Sequence, residues 1–413
     1  MKSSPNHLPS LLSAILFSLS GLFLFGIALL MAVTALLPLL TGEGVEVSQT
    51  IFFLTFSFEA VLLLVAAFFS FQKVLQKPSA DLGTVIAVPS RQIVVLVLIA
   101  AGSILLGSQL GGIETVNWLF LPLLTIPAIV IPLGVMFALG ARRLPLGERW
   151  RSWSVLGMGM TVVPFVLLIL EAVVAIIVFI GVVAYVSTQP TLANRLQELS
   201  QQILVLGPQS EAARDLLIPL ITKPGVMVTA LIYMAILVPA IEEVFKPLGV
   251  WLFAGKLDSP AQGFALGALS GAGYALIETI GVSGQGAGWA SLLLSRIGTG
   301  VLHITTSALM GAAIVRVWKD RRYLRLLGTF FLAVTLHGLW NTLALMFSFS
   351  NLAEVLDQPG LLNSLQPAII TVMSILAVGL FAILLISNRR MRVFDSPQVM
   401  EATLPTDYTD EIR

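Results

Sequence analysis

Ten apolar runs, each long enough to cross a bilayer, divide this 413-residue chain and leave little sequence for anything else. They lie at 11–40, 51–71, 93–110, 116–141, 154–186, 226–253, 261–280, 290–315, 326–349 and 367–386. A helical crossing needs about 20 residues. Inside hydrocarbon only α-helices and closed barrels satisfy every backbone N–H and C=O, and long runs without alternation are helices. The expected fold class is all-α, a polytopic membrane helical bundle of about ten transmembrane helices. Composition agrees: 57% of residues are hydrophobic and 11% charged, against about 25% charged in a soluble domain. With no cysteine in the chain, disulfides, thiol nucleophiles and Cys-ligated zinc are excluded.

Charge sets the expected orientation. The N-terminal tail, the second, fourth, sixth and eighth loops and the C-terminal tail hold 18 of the 23 Lys and Arg residues. The positive-inside rule then predicts a multi-pass protein of the cell membrane with both termini cytoplasmic. The first run exceeds the core of a signal peptide and is expected to be a retained anchor. Arg142, Arg143, Arg149 and Arg151 in the fourth loop, and Arg316, Lys319, Arg321, Arg322 and Arg325 in the eighth, read as anchors at the lipid headgroups. The bilayer is therefore the expected partner of these charges, and nucleic acid is not. In the long outside loop Leu192, Leu196, Leu199, Ile203 and Leu206 recur at helical spacing, predicting an amphipathic helix that lies on the membrane surface or packs as a lid. The expected organisation is a five-span region at 1–187, an extracytoplasmic amphipathic segment at 188–225, a four-span core at 226–349, a last span at 350–387 and a disordered cytoplasmic tail at 388–413.

Seven ionisable residues fall inside spans: Glu59, Glu171, Glu242, Glu243, Lys246, Glu278 and Arg296. Isolated, they would cost on the order of 20 kcal/mol, so they must be paired, neutral or facing water. No span contains Asp, whereas intramembrane aspartyl proteases need two there, and no His-Glu-x-x-His metalloprotease motif occurs. In the sixth span Lys246 lies three and four residues after Glu243 and Glu242, within reach of both carboxylates. Pro239 and Pro247 deprive the carbonyls of Ala235 and Glu243 of their helical partners, as at a kink lining a cavity. In the seventh span Gly263, Gly267 and Gly271 form a small-residue stripe that includes Glu278, with Tyr274 beside it. In the eighth, Arg296, Gly300, His303 and Ser307 share a face; in the ninth, His337 and Asn341 are four apart. Counted along their helices at 1.5 Å per residue, Glu243, His303 and His337 come near the middle or inner half of the bilayer, so one site is feasible. Glu278 lies higher and needs helix tilt to join it. Glu59 and Glu171, without histidines in their spans, read as structural groups, protonated or paired with Arg296.

The order Glu242-Glu243-x-x-Lys246, Tyr274-x-x-x-Glu278, His303 followed by Gly311, and His337-x-x-x-Asn341 resembles the PrsW family of intramembrane proteases. That family groups with CAAX prenyl proteases and bacteriocin-immunity proteins. The resemblance covers about 226–349. Tyr274 stands where the family usually has Phe, and Asn341 where some members have Asp. It implies cleavage of a membrane-embedded or membrane-proximal protein, in the best-known case an anti-sigma factor. Two chemistries are compatible with it: zinc held by His303, His337 and Glu243, or a metal-independent glutamic mechanism. In the second, Glu243 takes a proton from water while the histidines and Asn341 stabilise the oxyanion. The catalytic candidates are Glu242, Glu243, Lys246, Glu278, His303, His337 and Asn341.

Three rival readings remain at this point. Gly281-Val282-Ser283-Gly284 matches a short rhomboid serine motif. A proton- or ion-coupled transporter would use the same acids and histidines as a relay, with Pro122, Pro127 and Pro132 breaking the fourth span. A non-catalytic membrane protein of the same fold is the third.

Overall fold

The computed structural model describes residues 7–77, 83, 88–207, 210, 212–213, 215–216, 223–280, 287–355 and 361–394. Among them the secondary structure is helical, with no strand: α1 (Leu8–Leu36), α2 (Val47–Val74), α3 (Ser90–Leu110), α4 (Glu114–Gly140), α5 (Arg149–Met160), α6 (Val162–Ser187), α7 (Pro190–Leu206), α8 (Pro224–Ile232), α9 (Val238–Phe245), α10 (Leu248–Phe253), α11 (Pro260–Ile280), α12 (Ala287–Asp320), α13 (Tyr323–Val355) and α14 (Leu361–Phe394). Ten segments are long and apolar enough to span a membrane, in the number and order that the apolar runs predict. The protein is a multi-pass integral membrane protein. Residues 395–413, most of the tail expected to be disordered, lie outside the described residues.

Proline explains where helices stop, and α4 shows where it does not stop them. Pro164 cannot donate to the carbonyl of Met160, and the fifth span breaks there: Thr161 leaves helical geometry at φ −126°, ψ −70°. The sixth span divides into α8, a π-turn at Tyr233–Leu237, α9 and α10, flanking Pro239 and Pro247 as the sequence predicts. By contrast α4 runs unbroken through Pro122, Pro127 and Pro132, so the interrupted helix invoked for a transporter is absent from that span.

The helices gather into two compact units. The first comprises Met1–Pro164, Glu243–Ala333 and Thr371–Arg413. Its centre is the antiparallel pair α11 and α12. A Cβ added at Gly263 would strike the carbonyl of Gly311, one at Gly267 that of Ser307, and one at Gly271 that of His303. Each four-residue step forward on α11 thus meets a four-residue step back on α12, backbone against backbone. Two turns further, seven residues on from Gly271 and seven back from His303, the same register sets Glu278 opposite Arg296, so it brings an acid and a base of the two helices together. On its other side α11 packs on α5, where Gly159 approaches the carbonyl of Ser270. Trp289, at the start of α12, donates its Nε1–H to Thr125 of α4 at 3.1 Å and fills the space left by Gly107 of α3.

The second unit comprises Phe165–Glu242 and Val334–Ile370. Here Gly338 of α13 lets the carbonyl of Ala235 approach its backbone, and Tyr233 donates its hydroxyl hydrogen to the carbonyl of Glu171 at 3.1 Å. The predicted amphipathic segment is a helix, α7, on which Leu196, Leu199 and Ile203 are half-buried while the residues between them are exposed.

Candidate functional site

Within the first unit Glu243, Lys246, His303, Glu278 and Arg296 form one continuous chain. At the end of α9, where Pro247 stops the helix, the Lys246 ammonium reaches back one turn to Glu243 Oε1 at 2.5 Å. The same Nζ lies 2.9 Å from Nδ1 of His303 on α12. His303 Nε2 is 2.7 Å from Glu278 Oε2 on α11, and Glu278 Oε1 is 2.9 Å from Nη2 of Arg296. Glu243 and Lys246 are fully buried and His303 is 1% exposed, while the Glu278 side chain at 33% marks the open end of the chain. Ser270 anchors the turn by donating its hydroxyl hydrogen to the Lys246 carbonyl at 2.6 Å. The Tyr274 ring packs edge-on against His303, centroids 4.9 Å apart, with the Lys246 ammonium 5.9 Å from its centre.

This chain fixes the histidine tautomer. An ammonium has donors only, so Nδ1 of His303 accepts from Lys246 and Nε2 carries the hydrogen that Glu278 accepts. Two anions and two cations surround one neutral imidazole, so the set carries no net charge, the condition for placing four ionised groups at this depth.

Within the second unit, Glu242 Oε2 lies 3.8 Å from His337 Nε2, and both side chains are buried. Consecutive residues leave a helix about 100° apart. Glu242 and Glu243 therefore address different neighbours, one a neutral-type base and the other an ammonium. Asn341, one turn after His337, donates its amide hydrogen to the carbonyl of Met234 at 2.8 Å. That carbonyl lies in the π-turn, where the widened helix leaves backbone acceptors to be satisfied from outside.

The sequence-predicted residues thus fall into two sets: Glu243, Lys246, Tyr274, Glu278 and His303 in one unit, Glu242, His337 and Asn341 in the other. Glu278, which by depth alone sits too high, reaches His303. The partner of Arg296 is Glu278 rather than Glu59, whose two buried oxygens have no hydrogen-bond partner. Arg296 thus joins this chain through Glu278, a pairing that its own spacing does not single out; the register of the glycine stripe is the sequence signal for it. Ser283 lies outside the described residues.

Carboxylate and imidazole are the donor set of a hydrolytic zinc site. The Glu242–His337 pair fits such an ion: ligand atoms around tetrahedral zinc lie about 3.4 Å apart for bonds of about 2.0–2.1 Å, close to the separation of this pair. His303 fits in part. Its Nε2–H donates to a carboxylate, as metal-bound histidines commonly do, but the Lys246 ammonium occupies the position on Nδ1 that a cation would take. Glu243 is committed to Lys246 and is the weaker candidate as ligand.

A family model described as PrsW family intramembrane metalloprotease matches residues 149–382, more than half of the chain. The match begins at α5, a full span before the motif-bearing segment at 226–349, and ends within α14. No curated protein and no solved structure matches the chain.

Proposed function

The chain belongs to the PrsW family of intramembrane metalloproteases, and from that premise we propose that it hydrolyses peptide bonds of membrane-embedded or membrane-proximal proteins with water activated by Glu243. The observation carrying this is the buried chain from Glu243 to Arg296, which holds His303 in a single tautomer between a cation and a carboxylate. Charges at this depth are costly, and such placements in membrane proteins mark functional sites.

Glu243 is the general base. Lys246 fixes one of its oxygens and keeps the carboxylate ionised and aimed. As the water oxygen attacks the scissile carbonyl carbon, its proton passes to Glu243; as the C–N bond breaks, Glu243 returns that proton to the departing amine, so no proton is gained or lost. Glu278, backed by Arg296, orients His303. Glu242 and His337 would hold a divalent ion, zinc by their donor chemistry. When bound, the ion would polarise the carbonyl and acidify the water. Asn341 holds the π-turn that leads into α9, the helix carrying Glu242. Single-span regulatory proteins of the anti-sigma type are the first substrates to try.

The test is cleavage of a single-span reporter by the purified protein in bilayer discs. Glu243→Gln or His303→Ala should lower the rate by at least about a hundredfold, with thermal unfolding showing the variants folded. Retained cleavage in both would overturn the assignment. Glu242→Gln and His337→Ala should lose bound metal in elemental analysis; full activity of metal-free enzyme would leave the glutamate chemistry standing alone.

A further inference from the structure

Four arginines that the hydrolytic reading does not use converge at one end of the first unit. Arg142 and Arg143 follow α4, and Arg389 and Arg392 lie on the last turns of α14. The two segments are pinned together. Gly140 abuts Leu384 closely enough that a Cβ would collide with it, and buried Asn388 donates its amide hydrogen to the carbonyl of Arg142 at 3.0 Å. Arg143 takes the left-handed conformation, φ +61°, to turn the loop over that contact.

Among the described residues the charges that Arg392 faces are Arg142 and Arg143, just after α4, and Arg389 from its own helix, all of its own sign. No ion pair among the described residues involves any of the four. Moreover the Nε–H groups of Arg142 and Arg392 are buried and meet no acceptor. An arginine that only anchors a helix end extends its guanidinium outward into headgroups and water; Arg143 and Arg389 are exposed, but Arg142 and Arg392 are half-buried. Turning two guanidinium edges inward, against like charge and without acceptors, is unfavourable unless something supplies oxygens and negative charge. The neighbouring Arg151 also buries an Nε–H without an acceptor, but the rest of its guanidinium is matched: it meets Glu148 at 3.8 Å and the carbonyl of Lys256 at 3.2 Å.

We propose that Arg142, Arg143, Arg389 and Arg392 form a binding site for a phosphate group, borne by the headgroup of an anionic membrane phospholipid. A guanidinium offers Nε–H and Nη–H as a planar fork matched to two phosphate oxygens. The place also suits it: α4 ends at Gly140, and Arg392 closes the last spanning segment, which is where headgroup phosphates lie. The inference stands independently of the hydrolytic reading, because no residue of that machinery takes part.

The full-length protein in bilayer discs is the material, and retention of phosphatidylglycerol against phosphatidylcholine, counted by native mass spectrometry, is the measurement. The parent should favour phosphatidylglycerol, and Arg142→Gln/Arg392→Gln should lose about tenfold or more of that preference. The control pair Arg321→Gln/Arg322→Gln, removing equal charge elsewhere, should keep it. If the double variant does not fold, Arg143→Gln/Arg389→Gln on the exposed side replaces it with the same expectation. Inorganic phosphate that displaces the lipid from the parent, and binds the double variant more weakly, would support the site and identify a soluble phosphate as a second source. Equal retention by the parent and the arginine variants, or equal loss in the control pair, would overturn it and leave only a diffuse belt of charge.

Discussion

Helices α11 and α12 bury 78% and 83% of their most apolar stretch inside the protein, whereas α1 and α3 bury 11% and 17%, although α1 and α3 are the more apolar pair. In water the ranking would be reversed. Lipid removes the hydrophobic drive between helices, so leucines and phenylalanines face the bilayer, and close approach goes to helices with glycine, small hydroxyl residues and paired charge. The contrast extends to single carboxylates. Glu243 sits in the polar centre with an ammonium on it, while Glu59 of α2 is equally buried and has no hydrogen-bond partner. Apolarity thus locates the spans, and its local failure locates the centre.

The largest expected effect separates those two carboxylates. Lys246→Met leaves the Glu243 carboxylate buried beside a methyl group. Removing one partner of a buried ion pair costs about 3–5 kcal/mol. Glu59→Leu removes a group that satisfies nothing and should be neutral or stabilising, since two unmet oxygens disappear with it. Thermal unfolding in detergent measures both. Equal destabilisation would erase the distinction, and recovery in Glu243→Gln/Lys246→Met would sharpen it by showing that the cost lies in the orphaned charge.

A smaller effect probes the backbone contact. Gly267→Ala puts a methyl group against the Ser307 carbonyl, and Gly311→Ala one against the carbonyl of Gly263. Neither obstacle is a flexible side chain that can swing away, so the helices must separate, at about 1–3 kcal/mol or somewhat more. Because the same register sets Glu278 opposite Arg296, cleavage should fall along with stability. Gly26→Ala on α1, where a Cβ meets nothing within 4 Å, should slightly stabilise by helix propensity. A Gly267→Ala protein as stable and active as its parent would show that the close contact is dispensable.

Much of this architecture was legible because membrane helices obey few rules. Length and apolarity are enough to place ten spans, and a missing N–H at Pro239 or Pro247 is enough to place the breaks in the sixth. The glycine stripe of α11 and the polar face of α12 were each readable from spacing. Pairing was not. Lys246 is as well spaced for Glu242 as for Glu243, and only the positions of His303 and His337 in three dimensions divide the two carboxylates between an ammonium and an imidazole. Spacing likewise gave Arg296 no preference among intramembrane acids, because its choice depends on how two helices register. Asn341 looked like an oxyanion donor; its amide is engaged by the Met234 carbonyl, an acceptor that becomes available only through a π-turn that no residue pattern announces.

The smallest effect belongs to the exposed counterpart of the buried pair. Lys73, at the end of α2, meets Glu148, just before α5, at 3.1 Å, with side chains 33% and 38% exposed. Partial burial alone would raise the Glu148 pKa. Hydrogen bonds from the Trp150 indole and Lys73, with the charges of Lys73 and Arg151, outweigh that and leave it below the ordinary carboxylate value. A carboxylate whose folded pKa is depressed adds stability above its unfolded pKa, about 4.3, and loses it as pH falls through the folded value. Water and salt screen a pair this open, so its worth is about 0–1 kcal/mol. Glu148→Gln should therefore lower the unfolding temperature slightly at pH 7, and the gap to the parent should close as the pH drops below about 4. Added salt should narrow the same gap at pH 7 while leaving the cost of Lys246→Met intact, since a dry pair is shielded from ions. A gap at Glu148 as large as that at Lys246, or one that widens in acid, would mean that depth in the molecule does not govern what a charge pair contributes here.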